Sequence, residues 1–172
     1  MNLDGALCLR SLATGLDASG KPLDGALAEQ HRRVQAGIAE TRLTGKLSGK
    51  PAVVVNGRAD ANLPPNFTSR AYFARNKQVE PASKLYYYEV TNAQHLDSFN
   101  QFAGYNEKLI PLHRYYIQAM DLMYAHLRTG TALPPSQVVH TIPRGPGAPP
   151  ISSAPASSDV ITMSGGRLNI PN

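Results

Sequence analysis

Two polar side chains in this sequence stand where chemistry needs them. Asp60 follows the run Ala-Val-Val-Val at residues 52–55 and the pair Asn56-Gly57, and His95 follows a second run, Leu-Tyr-Tyr-Tyr-Glu-Val-Thr, that ends at Asn92. β-branched and aromatic runs bounded by turn-forming residues read as strands. The first run, unbroken by polar residues, predicts a fully buried strand that ends in a sharp turn at Asn56-Gly57. The second predicts a strand over residues 84–91. The acid and the imidazole then lie on loops at the carboxyl ends of two strands, the rim where open parallel sheets carry their working side chains. A carboxylate that accepts the Nδ1 proton of a histidine fixes the tautomer and leaves Nε2 free to take a proton from a nucleophile. Asp97 offers a second carboxylate, but from the same loop it would have to fold back to reach Nδ1, so Asp60 is the expected partner of His95.

Such a pair is two-thirds of a Ser-His-Asp triad, and the order Asp then His is the one α/β-hydrolases use after their serine. Gly57, Asp60 and Pro64 also match the G-x-x-D-x-x-x-P arrangement that follows the penultimate strand in many of those enzymes. The nucleophile is not evident. No serine has the G-x-S-x-G setting, and Ser164-Gly165-Gly166 lacks a glycine two residues upstream and, with Pro171 close behind, room for a following helix. Cys8 is the single cysteine, which excludes an internal disulfide. Flanked by Leu7 and Leu9, it is expected to be a small buried residue rather than a nucleophile.

Helices must carry these loops. Residues 24–42 predict one, with Asp24 as N-cap, a modest apolar stripe through Leu27, Val34 and Ile38, and Gly45 as the stop; His31 on it is expected at the surface. A second is expected over residues 67–76, started by Pro64-Pro65. The strongest periodicity lies at residues 111–128, where Leu112, Tyr116, Ala119, Met120, Met123 and Leu127 form a stripe expected to cover the sheet. His113 and His126 fall off that stripe without matching ligands, so no metal or other cofactor is expected. The Tyr86-Tyr87-Tyr88 triplet predicts packing on both faces of its strand, because consecutive strand residues point oppositely.

Residues 1–23 read as an irregular segment of turns around the short run at residues 6–12. From residue 134 the texture becomes rich in Pro, Gly, Ser and Ala, a composition that cannot bury enough apolar surface to fold alone, with one strand-like run at residues 160–163. The chain therefore divides into 1–23, a compact part 24–133, and a low-complexity tail 134–172. It has 172 residues and a net charge of +5, but its basic residues are dispersed, densest at His31-Arg32-Arg33, and are not interleaved with aromatics. That favours a solvated surface over a nucleic-acid site. No stretch is long and apolar enough for a membrane span, and the first residues make no signal peptide, although an intact protein could still be exported; the compartment stays open.

The stretches SGKPAVVVNGRADANLPPNFTSRAYF, EVTNAQHLDSF and GYNEKLIPLHRYYIQAMDLMYAHLRTGTALPPSQVV, with the opening GALCLRSLATG, resemble the C-terminal region of bacterial D-(−)-3-hydroxybutyrate oligomer hydrolases. The resemblance spans most of residues 3–144. It implies the C-terminal portion of an α/β-hydrolase-like parallel sheet with flanking helices, in a serine esterase that cleaves short hydroxybutyrate oligomers to monomers in poly(3-hydroxybutyrate) breakdown. Asp60 and His95 would be triad members. The serine would come from an upstream part of the same enzyme, so that this chain alone would be inactive. Two alternatives carry different expectations: a non-catalytic α/β binding module, and a carboxylesterase with another acyl preference.

Overall fold

The structure is a computed structural model that describes residues 2–143 and 151–172. Residues 144–150, part of the Pro/Gly-rich stretch of the sequence reading, lie outside it. The chain divides into two compact units, Met1–Thr44 and Gly45–Asn172.

The first unit is a pair of helices, α1 (Leu3–Thr14) and α2 (Gly25–Thr41). α1 corrects the reading of residues 1–23 as turns. Its start is capped by Asn2, whose side chain accepts the Gly5 N–H, and its end by Gly15 in the left-handed conformation, whose N–H reaches the Ser11 carbonyl. Its partner is α2. His31, expected at the surface, instead half-buries and holds the Leu12 carbonyl through Nδ1 at 2.7 Å, while Gln35 donates to the Ala13 carbonyl. Cys8 is exposed, contrary to expectation, and neither helix contains a buried residue.

The second unit is mixed α/β. Its parallel sheet has the order β1-β2-β3, with β1 (Ala52–Gly57) and β2 (Leu85–Val90) paired from Ala52↔Leu85 to Gly57↔Val90, and β3 (Gln137–Val139) on the far side of β2. Between β1 and β2 run a single 3-10 turn (Pro65–Phe67) and α3 (Ser69–Val79), slightly later than the helix expected at residues 67–76. Between β2 and β3 run a 3-10 segment (Asp97–Gln101), the single turn α4 (Tyr105–Lys108) and α5 (His113–Thr129).

Side-chain alternation along β2 feeds two cores. Tyr88 and Val90 pack with Tyr115 and Ala119 of α5, whereas Leu85 and Tyr87 pack with Phe73 of α3. The tyrosine triplet thus does serve both faces, with Tyr87 and Tyr88 fully buried.

Three sequence expectations need correction. β1 is half-buried along its valines rather than fully buried, because it is an edge strand. The stripe on α5 is only in part its buried face: Ala119 is buried and Leu112 packs against the core, but Tyr116 is 51% exposed, Met120 54% and Leu127 66%, and the buried Tyr115 lies outside the stripe. The described parts of the segment after residue 133 do not remain outside the fold. Gln137, Val138 and Val139 are buried in β3, Ile151 and Ile161 join the two cores, and β4 (Thr162–Ser164) pairs with β5 (Arg167–Asn169) in an antiparallel hairpin whose turn is Gly165-Gly166. Such a segment cannot fold by itself, but a ready-made strand edge offers its backbone hydrogen bonds and its few Val and Ile a core. Among the described residues no helix is long and apolar enough to cross a membrane.

Candidate active site

The loops after β1 and β2 meet at the carboxyl rim of the sheet. Gly57 is not in a turn, as Asn56-Gly57 suggested, but is the last residue of β1, opposite Val90. Its lack of a side chain serves close approach. A Cβ there would collide with the backbone carbonyl of Ala93, in the loop after β2. Two backbone bonds stitch the loops together: Arg58 N–H to the Val90 carbonyl at 2.8 Å and Ala59 N–H to the Ala93 carbonyl at 2.9 Å. The second loop begins at Asn92, a non-glycine residue at φ 55°, whose side chain donates to the Thr141 carbonyl at 2.7 Å. Asparagine tolerates the left-handed region better than most residues, which suits it to this abrupt exit from a strand.

This places His95 Nδ1 3.0 Å from Asp60 Oδ2. Asp60 is 6% exposed, and its other carboxylate oxygen accepts the N–H groups of Asn62 and Leu63 at 3.0 and 2.8 Å. Those bonds hold the carboxylate in one orientation. In the neutral tautomer whose Nδ1 donates to Asp60, Nε2 carries the lone pair, on the opposite side of a ring whose side chain is 35% exposed. Beside it lies a mostly apolar cavity of about 470 Å³ lined by Val55, Leu96, Leu112, His113 and Tyr116.

Asp97, the alternative partner, is committed elsewhere. Its two oxygens accept the N–H groups of Leu112 and His113 at 2.7 and 2.9 Å, at the start of α5. There it neutralises orphan donors and complements the helix dipole, tying the His95 loop to the helix behind it.

A second group of residues, missed by the sequence reading, anchors the Asp60 loop from beneath. Glu89 of β2 is fully buried and accepts from Arg58 at 2.5 Å, from Arg70 at 2.8 and 2.5 Å, and from the Tyr87 hydroxyl at 2.6 Å. Burial raises the carboxyl pKa, but the bonds from Arg70, Tyr87 and Arg58 outweigh it and hold the value below the usual glutamate range. Arg58 also donates to the Pro171 carbonyl, so the last residues of the chain brace the same loop. A single acid inside the strand Leu-Tyr-Tyr-Tyr-Glu-Val was the available signal, since a charge in a buried strand requires partners.

A histidine oriented by an acid at the carboxyl rim of a parallel sheet has a geometry that can serve proton transfer. The 3HB-oligomer hydrolase family model matches residues 1–172, and the chain belongs to that family. It is 50% identical to the D-(-)-3-hydroxybutyrate oligomer hydrolase of Polaromonas sp. strain JS666, over 98% of this chain and 24% of that protein. Against the proteins of the same name from Paracidovorax citrulli and Ralstonia pickettii the identities are 48% and 46%, each over 99% of this chain and 25% and 24% of the relative. The chain thus spans about a quarter of the length of the curated relatives it matches. No solved structure matches it.

Proposed function

We propose that this chain forms the part of a 3-hydroxybutyrate oligomer hydrolase that supplies Asp60 and His95 to a Ser-His-Asp triad, on an α/β-hydrolase-like sheet completed by the rest of the enzyme. One observation carries the reading: the 3.0 Å contact of His95 Nδ1 with a nearly buried carboxylate, at the ends of two adjacent parallel strands. The names of the relatives supply the substrate, a D-(-)-3-hydroxybutyrate oligomer.

In the proposed reaction His95 Nε2 takes the proton of a serine hydroxyl as its oxygen attacks the ester carbonyl. Asp60 stabilises the imidazolium so formed, and the proton passes to the departing alkoxide as the tetrahedral adduct collapses to an acyl-enzyme. Water then gives a proton to the same nitrogen as its oxygen attacks the acyl carbon, the acyl–serine bond breaks to release the hydroxybutyrate unit as its acid, and the proton passes to the serine oxygen. The serine is supplied from outside these residues, so the chain alone is inactive.

His95→Ala in a complete enzyme carrying this region is expected to lower kcat by roughly three orders of magnitude or more with the fold intact, measured as acid released from hydroxybutyrate dimer. Activity within tenfold of the parent would end the assignment. The chain by itself should take up no serine-directed fluorophosphonate, as mass spectrometry would show.

A further inference from the structure

The two edges of the sheet are finished differently. Beyond β3, the C-terminal segment closes the edge: Val160 forms an antiparallel bridge with Gln137, and the Ile161 N–H donates to the Ser136 carbonyl at 2.9 Å. Beyond β1, no strand pairs among the described residues. Ala52 and Arg58 donate to the Lys84 and Val90 carbonyls, so strand alternation turns the N–H and C=O groups of Val53 and Val55 toward the open side. Nothing in Ala52–Gly57 protects that edge, for the strand holds no charge, no proline and no bulge.

The helix above is equally unfinished. A cavity of about 400 Å³ runs between β1 and α5, lined by Val53, Val54, Val55, Tyr116, Met120 and Met123. It shares Val55 and Tyr116 with the cavity beside His95, so one apolar groove leads from the open strand edge to the candidate site. Outward along α5, Ile117 at 49% exposed and Tyr124 at 66% extend the apolar surface. A groove with free backbone donors and acceptors on one wall and exposed Tyr and Met on the other suits an extended polypeptide. Its stretch between β1 and α5 does not suit a charged ligand, since no charged residue lines that stretch.

We propose that the open edge of β1 and the apolar side of α5 form the seat of a further parallel β-strand, with its covering apolar element, contributed by the remaining three-quarters of the family's polypeptide. This rests on the reading of the chain as part of a longer hydrolase, and the relatives' length supplies the occupant. Parallel pairing follows from the sheet itself, whose pairs are both parallel and whose two faces both carry helices. Added here, a strand would also end at the rim that holds Asp60 and His95. The surface that stabilises the sheet would thereby bring the rest of the enzyme to the general base.

The test uses this chain and, as probe, the Polaromonas sp. strain JS666 relative lacking its C-terminal quarter, with association read by light scattering and amide hydrogen exchange. The unchanged chain is expected to form a one-to-one complex in which the Val53 and Val55 amides, fast-exchanging alone, become protected. Val53→Pro removes the outward N–H without touching a bond to β2, so it should keep the thermal unfolding midpoint within a few degrees yet weaken the complex at least tenfold. Val53→Ala, which keeps the N–H, should still bind. Failure of the unchanged chain to associate, full binding by Val53→Pro, or a dimer of the chain paired through this edge would each overturn the proposal. None of these readouts depends on catalysis: His95→Ala should bind as the parent does, so failure of the triad reading would leave this result standing.

Discussion

β1 and β2 have the same length, run parallel in unbroken register and are both mainly apolar, yet they occupy opposite environments. β2 lies between two strands and two helices, with Leu85, Tyr87, Tyr88, Glu89 and Val90 buried, and it tolerates a carboxylate only because three donors meet it there. β1 is purely apolar before Asn56 and remains half-exposed along one side. Apolar composition therefore reports what a strand is built to be buried by, whereas position in the sheet decides what covers it. The loops of the candidate site are nevertheless both held, the one after β2 by Asp97 at the start of α5 and the one after β1 by the bond of Arg58 to buried Glu89.

The comparison can be broken most severely at Glu89. Glu89→Ala would leave Arg58 and Arg70 facing each other beside the Tyr87 hydroxyl, and it is expected to cost about 3 kcal/mol or more in urea unfolding. A loss below about 1 kcal/mol would show that the buried network contributes little. Because the folded pKa of Glu89 lies below its unfolded value, its contribution is present above the unfolded pKa and disappears as pH falls through the folded one. Stability of the parent chain should thus fall on acidification, and Glu89→Gln should show a flatter acid limb in the same titration.

Gly57 joins the two strands, and its replacement tests the link. Gly57→Ala forces the new Cβ against the Ala93 carbonyl, which should cost roughly 2 kcal/mol and part the two loops. The hydrogen-bonded Nδ1 proton of His95, observable by NMR, should then be lost. Its persistence would mean that the loops approach without the glycine. The smallest effect sharpens the edge-versus-centre contrast: Val90→Ala should cost about 2 kcal/mol and Val54→Ala less than about 1 kcal/mol in the isolated chain. Equal losses would contradict the half-buried state of β1.

Much of the second unit was legible. The strands carrying Asp60 and His95 and the helix after each follow from local runs, turn formers and proline positions, which act over a few residues and leave marks in sequence. α1 was not legible, because it lacks the apolar stripe that announced α2 and is held by its end caps and by bonds from His31 and Gln35 of that partner. β3 was hidden for a related reason. Gln137–Val139 is too short to read as a strand amid Pro and Ser, and it is extended because β2 already presents an edge. His31 reads as a surface residue and Asp97 as a second candidate partner of His95 until the Leu12 carbonyl and the start of α5 are brought to them.

The sequence by itself determined that two apolar strands each end in a polar loop, one with an acid and one with a histidine, since steric preference and turn chemistry are properties of neighbouring residues. Only the tertiary structure decided that Asp60 rather than Asp97 meets the imidazole, that Gly57 is required by a passing carbonyl, and that three valines remain half-covered. Those outcomes depend on groups far apart along the chain competing for the same donors and the same space, and that competition is settled only once the sheet has brought them together.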